Sequence, residues 1–274
     1  MRQYNRIILA LENSFVSKFV RRYLETGAVE KPEHILTPED DSDEFPQLLV
    51  ISDPYCTAEQ VRGTITGKIA ERAVLLSTTE IYDVTEGENL NELTPLKTES
   101  ERFRAENAAA ELCAEYDIPL TILRLPELIV GTGMDGTLMD IVRYINRGTY
   151  LHIKGSVARR SVIHAASVGP AIAESGPGIF NIADNAAPEV REIAEALAFR
   201  TGQKRIYSVS LPLARKMSRV ALLLGIGGWK KDMLRFKTES LTFSTSKAES
   251  AFGFSTPQSA TDYLRNHIYD ESSL

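Results

Sequence analysis

Residues Leu48–Ser77, LLVISDPYCTAEQVRGTITGKIAERAVLLS, carry the reading that decides the fold. The runs LLVIS (Leu48–Ser52) and AVLLS (Ala73–Ser77) are apolar without alternation, as a strand is when both of its faces are covered. The mixed stretch between them predicts a helix over Ala58–Glu71, so the whole reads as strand, crossover helix and parallel strand. Outward from it, strands are expected at Arg6–Ala10, His34–Leu36 and Leu120–Leu125. Helices are expected at Ser14–Glu25, Glu101–Tyr116 and Thr137–Asn146. The chain is therefore α/β.

One interval is short. Between Ala10 and Gln47 lie 36 residues, about one βαβ step of ~30 residues. A Rossmann half wound βαβαβ would want a second helix there, and PEDDSDEFPQ supplies only an acidic loop. The expected architecture is a shortened Rossmann-like parallel sheet with helices on both faces, followed by a smaller C-terminal substrate-type lobe. Residues 1–274 read as a single unit, with 1–130 mainly in the first lobe and 131–274 mainly in the second. Glycines 131, 133, 136, 148 and 155 punctuate short elements beyond the first lobe, and a helix at Val190–Thr201 stops at Gly202. Pro212–Ile226 is amphipathic, with Arg215, Lys216 and Arg219 set against Leu213, Met217, Val220 and Leu223. It reads as a lid or support over a cleft, and as a membrane-surface or partner contact in second place.

Composition narrows the function classes. Lys and Arg number 31 against 37 Asp and Glu, a net charge of −6. A pI of about 5.4 argues against a nucleic-acid binder. No stretch approaches the ~20 apolar residues of a membrane span, and the apolar run near the start is too short for a secretory signal. Cys56 and Cys113 are the only cysteines, which gives no disulfide framework and fits a reducing, cytoplasmic setting. His34, His152, His164 and His267 are scattered without metal-ligand spacing, so no metal is expected.

Six segments in order carry a resemblance: VLLSTTEIYD (Val74–Asp83), NELTPLKTESERFRAENAAAEL (Asn91–Leu112), TILRLPELIVGTG (Thr121–Gly133), GSVARRSVIHAASVGPAI (Gly155–Ile172), Phe180–Leu197 and Ser246–Phe254. Together they resemble the extended short-chain dehydrogenase/reductases, in particular the NAD-dependent nucleotide-sugar epimerases and dehydratases. The resemblance implies NAD or NADP on a Gly-rich turn after the first strand, a Tyr/Lys catalytic pair four residues apart, and a homodimer through the helix that carries the pair.

At those positions the sequence departs from the pattern. The turn is Leu11-Glu12-Asn13-Ser14 with no glycine, its side chains crowd the approach to a pyrophosphate, and Asn13 or Ser14 reads as a helix N-cap. Glu39, Asp40 and Asp41 lie where the ribose-binding acid is expected and read as a solvated loop. Phe103 stands at the Tyr position and Asn107 at the Lys position, so neither the exchangeable proton nor the cation is supplied. Thr79 matches a retained hydroxyl, and Tyr82 reads as a packing residue more readily than as a substitute acid. Arg160 matches the arginine that meets a substrate phosphate, with Arg159 and Lys154 close in sequence. The expectation is a degenerate, non-redox pseudoenzyme that binds no nicotinamide cofactor and takes a small anionic nucleotide-sugar-like ligand or a protein partner. The rival is an active NAD(P)-dependent epimerase or reductase with a divergent site.

Overall fold

The structure is a computed structural model that describes residues 6–26, 34–37, 48–68, 70–134, 136–202, 206–223, 231–256 and 259–266. Glu39, Asp40 and Asp41 lie outside them. In chain order the first part runs β1 (Arg6–Ala10), α1 (Phe15–Thr26), β2 (His34–Leu36), β3 (Leu48–Ile51), α2 (Ala58–Ile65), β4 (Arg72–Thr78), β5 (Gly87–Leu90), α3 (Glu101–Glu115) and β6 (Leu120–Leu125). The rest runs β7 (Leu128–Val130), α4 (Gly136–Asn146), β8 (Leu151–Ile153), β9 (Val162–His164), α5 (Val168–Glu174), β10 (Gly178–Asn181), α6 (Val190–Arg200), β11 (Tyr207–Val209), α7 (Leu211–Leu223), α8 (Lys231–Thr238), β12 (Leu241–Phe243), α9 (Ser246–Phe252) and α10 (Ala260–Asn266).

Six strands form one parallel sheet in the order β10-β6-β4-β3-β1-β2. The apolar runs explain it, because alternate residues of each strand enter different cores. Leu48, Val50, Val74 and Leu76 pack with α1 and α5, while Leu49, Ile51, Ala73 and Leu75 pack with α2 and α3. Helices thus cover both faces, as expected. A third core joins α4, α6 and α10. On the first face α1 lies close to α5, since a Cβ on Gly169 would come within 2.5 Å of the Tyr23 ring.

The helix expected over Ala58–Glu71 is shorter. A Thr57/Gln60 capping box starts α2, but Thr66 turns to ψ 126° and Gly67 takes φ +72°, which ends the helix at Ile65. The chain leaves β1 for β2 on one side and returns to β3 on the other. The strand order therefore reverses at the carboxyl ends of β1 and β3, the crevice where open α/β sheets bind dinucleotides.

Candidate functional site

At that crevice, the turn after β1 holds no glycine but does hold a left-handed residue. Leu11 stands at φ +56°, a left-handed conformation that costs an L-residue about 1–2 kcal/mol. Ser14 Oγ accepts from the Ser17 N–H (3.3 Å) and lies 2.9 Å from Ser17 Oγ, so one donor at the start of α1 is already capped. Ser17 is fully buried and donates to the Ser52 carbonyl (3.2 Å), while Ser52 Oγ donates to the Ala10 carbonyl (3.0 Å). These hydroxyls stitch the first turn of α1 to the ends of β1 and β3. Glu12 is engaged too, in an ion pair with Arg21 on α1.

The loop after β3 is strapped from the other side. Arg102, in the first turn of α3, donates to the carbonyls of Pro54 and Tyr55 (both 2.8 Å) and lies 5.6 Å from the Tyr55 ring centroid. Next to it, Glu101 accepts from the Ala58 N–H (2.9 Å) at the start of α2, and this holds its carboxyl below the ordinary value. Between Ser14, Phe15, Tyr55 and Ile129 about 20 Å³ is left, room for roughly one water.

The carboxyl ends of β4 and β6 differ. A cavity of about 170 Å³ opens there, lined by Thr79, Glu80, Tyr82, Lys97, Glu127 and Arg160 together with Leu241 and Phe243 of β12. Thr79 is buried in the 3-10 turn that follows β4. Lys97 Nζ donates to the Glu80 carbonyl (3.3 Å), and Glu127 accepts from the Thr137 hydroxyl. Burial, and after it the charge of Glu127, pushes the Glu80 carboxyl above its ordinary value, against the opposing pull of Arg102 and Lys97. Arg160 is only 7% exposed, reaches the Phe236 and Arg235 carbonyls (3.4 and 3.5 Å) in α8, and stacks 4.8 Å from the Phe236 ring centroid. Its Nη1 makes neither of those bonds.

Behind the cavity wall runs a buried polar chain. Glu106 of α3 takes a bidentate pair from Arg124 of β6 (3.0 and 2.6 Å). Arg124 also donates to the Tyr82 hydroxyl (3.0 Å), which donates in turn to Asn181 Oδ1 (2.6 Å). The Asn181 N–H ends the chain on Glu92 (2.7 Å). Burial raises the Tyr82 phenol above its ordinary value, and both of its bonds are structural.

Of the residues singled out in the sequence, Thr79 and Arg160 meet in the cavity, with Tyr82 in its wall. Phe103 packs against the cluster of Ile81, Tyr82 and Phe243, whereas Asn107 is exposed on α3. Arg159 and Lys154 are exposed and line no part of this cavity, so of the three cations only Arg160 reaches it. Leu11, Glu12, Asn13 and Ser14 belong to the other crevice. Sequence reasoning missed Glu80, Lys97, Glu127 and Arg102. A signal was present for two of them: Glu80 and Glu127 each follow a parallel strand at its carboxyl end, where α/β sheets place their ligands. Among the described residues no group of His, Cys, Asp and Glu is arranged to hold a metal, and no helix is long and apolar enough to cross a membrane.

No protein-family model matches the chain, and no curated protein matches it. Solved structures do. UDP-glucose 4-epimerase from Thermotoga maritima, solved with UDP-glucose, superposes at TM-score 0.65 with 14% identity, covering 96% of this chain and 97% of that one. UDP-glucuronic acid 4-epimerase from Bacillus cereus, in complex with NAD, gives 0.66 with 12% identity over 96% and 97%. RMD from Pseudomonas aeruginosa, complexed with NADPH, gives 0.65 with 14% identity over 95% and 97%. Over nearly its whole length, the chain has the fold of the NAD-dependent nucleotide-sugar epimerases and dehydratases.

Proposed function

We propose that this chain is a relative of the nucleotide-sugar epimerases without hydride-transfer activity, and that it binds an anionic, nucleotide-sugar-like ligand in the cavity of Thr79 and Arg160. The observation that carries the reading is the Arg102 strap. It ties the helix that would hold the Tyr/Lys pair to the loop over which a dinucleotide would lie. The residues of that crevice do not fit NAD or NADP: the Ser17 N–H is capped, the turn carries the Leu11 and Glu12 side chains where a glycine turn carries none, and about 20 Å³ is left between Ser14, Phe15, Tyr55 and Ile129. Phe103 and Asn107 supply neither an acid nor a cation. On the ligand side Lys97 and Arg160 offer the positive charge that a diphosphate needs, and Thr79 offers a hydroxyl.

Calorimetry with uridine, guanosine and thymidine diphosphate sugars tests the ligand side. The wild type should bind at least one of them. Arg160→Ala should bind about ten- to a hundredfold more weakly, as expected for loss of a charge-assisted contact of about 1.5–3 kcal/mol. Lys97→Ala, which leaves the Arg160 contacts with α8 in place, should weaken binding in the same direction. Equal binding by both variants, or none by the wild type, defeats the proposal.

The rival reading, an active NAD(P)-dependent epimerase or reductase, draws on the fold of relatives solved with NAD and NADPH. A cofactor at 100 times its Kd stabilises a protein by about 2.7 kcal/mol, so a thermal-shift series in NAD(H) and NADP(H) separates the two. No shift is expected. Phe103→Tyr with Asn107→Lys should likewise give no turnover, because the cofactor has no seat; measurable turnover would establish the rival.

A further inference from the structure

Charge is distributed very unevenly along this acidic chain. Residues 200–237 hold ten Lys and Arg and a single acid, Asp232, leaving 21 Lys and Arg against 36 Asp and Glu in the remainder. A segment of net +9 thus sits in a protein whose other residues sum to −15. None of the described residues of this segment lines the cavity of Thr79 and Arg160.

The fold turns part of this charge outward. Helix α7 packs through Leu211, Ala214 and Met217 against Ile153 of β8, Val209 of β11 and Leu234 of α8. At 3.6 residues per turn, Arg215, Lys216 and Arg219 lie within about 100° of one another on the opposite side, and all three are exposed. Large apolar side chains emerge next to them in the chain. Phe199 at the end of α6 is 73% exposed, Tyr207 at the start of β11 is 65% exposed, and Leu213 in the first turn of α7 is 49% exposed. Three of the seven large hydrophobic side chains exposed among the described residues fall in these 15 positions.

We propose that the exposed cationic face of α7, with Leu213 at its edge, docks on the surface of an anionic phospholipid bilayer. Cations alone would serve any polyanion. Exposed Leu213 on the same helix, with exposed Phe199 and Tyr207 in the stretch of chain leading into it, fits the boundary between headgroups and acyl chains, where an apolar side chain gains by leaving water while cations stay among the phosphates. The protein would lie on the membrane without crossing it. The remainder of the chain sums to −15, so an anionic bilayer favours approach through this segment.

Sedimentation with sucrose-loaded vesicles tests this on the full-length protein. Vesicles of phosphatidylcholine with about one-third phosphatidylserine are compared with pure phosphatidylcholine, at physiological and at high salt. The wild type should pellet with the serine-containing vesicles and be released by salt. Each cation near the surface contributes about fivefold to partitioning, so the triple variant Arg215→Gln, Lys216→Gln, Arg219→Gln should partition about a hundredfold less. These positions are exposed, and an unchanged thermal midpoint would confirm that the variant is folded. Leu213→Ser should also weaken binding while keeping the charge. Three results overturn the proposal: no pelleting of the wild type with anionic vesicles, equal pelleting of the wild type and the folded triple variant, or retention of single-stranded RNA or duplex DNA at the same salt without vesicle binding. The last would make the face a nucleic-acid contact. None of these results depends on what the cavity of Thr79 and Arg160 binds.

Discussion

At the carboxyl ends of β1 and β3, Glu12, Ser14, Ser17, Ser52 and Arg102 are all engaged by other parts of the protein. At the ends of β4 and β6, two strands further along the same sheet, Glu80, Lys97, Glu127 and Arg160 surround open volume. Both regions lie at the strand ends where this architecture places function. The first has spent its polar groups on stitching elements together. The second also bonds Lys97, Glu127 and Arg160 to neighbouring elements, but leaves about 170 Å³ of open volume between them. Two crevices at the same edge of one sheet can thus differ in how much open volume their polar groups leave.

The comparison can be broken most severely from behind the cavity. Arg124 and Glu106 have side chains 2% and 6% exposed, so Glu106→Ala leaves a buried guanidinium without its carboxylate. A loss of about 3–5 kcal/mol is expected, a midpoint lower by roughly 10 °C. Thermal unfolding measures it, and the double variant Glu106→Leu, Arg124→Met should recover most of the loss. Recovery would show that pairing, more than the charges themselves, holds the wall.

A smaller effect is expected on the closed side. Arg102→Ala removes two bonds from a charged donor to backbone carbonyls, for a loss of about 2 kcal/mol. Hydrogen exchange should speed up at residues 53–58, and nucleotide-sugar affinity should stay within about twofold. If affinity falls tenfold, the two regions are coupled and the contrast drawn between them fails.

Acid sharpens the open side. Because the Glu80 carboxyl is held above its ordinary value, it takes up a proton earlier than a free glutamate as pH falls, and the cavity then loses one negative charge. Binding of an anionic ligand should strengthen by about fivefold as pH is lowered through that range. Glu80→Gln should bind at the strengthened level throughout, with no pH dependence from this group. Calorimetry at several pH values decides it; a weakening on acidification would reverse the assigned sign.

The smallest effect falls on the turn. At an ordinary position alanine is more favourable than glycine by roughly 0.5–1 kcal/mol. At Leu11, with φ +56°, the order should invert, and Leu11→Gly should exceed Leu11→Ala by about 1 kcal/mol in urea unfolding.

Much of the sheet was legible in the sequence because its strands are continuous apolar runs, and such runs can be read locally. Strands β1, β2 and β6 fall where the residues place them, and β3 and β4 lie within a residue of their expected ends. The end of α2 was not legible, because the helical pattern continues to Glu71 while Thr66 and Gly67 break it through backbone geometry. The site was read less well than the fold. Thr79 and Arg160 are recognisable from the segments around them, but their partners come from elsewhere: Lys97 from the loop before α3 and Glu127 from the link between β6 and β7. Arg102 reads as a solvated helix residue, and nothing local announces that its guanidinium ends on carbonyls 47 and 48 positions away. Nor does sequence show that the cation at Arg160 is half committed to the carbonyls of α8, 75 and 76 positions away.

The place of β10 has a consequence for how the protein is made. That strand closes the open side of β6, Thr121 Oγ1 reaches the Gly176 carbonyl (2.8 Å), and buried Arg72 of β4 donates to the carbonyls of Ile172 and Ser175 around the end of α5. During translation β6 is complete at residue 125, whereas its neighbour is complete only at residue 181. At roughly 5–20 residues per second, the nascent chain therefore spends several seconds with a long apolar strand edge unpaired and a guanidinium without two of its acceptors. Nascent chains stalled in that interval should be the species most avidly bound by chaperones, and a product ending before Gly178 should accumulate as aggregate.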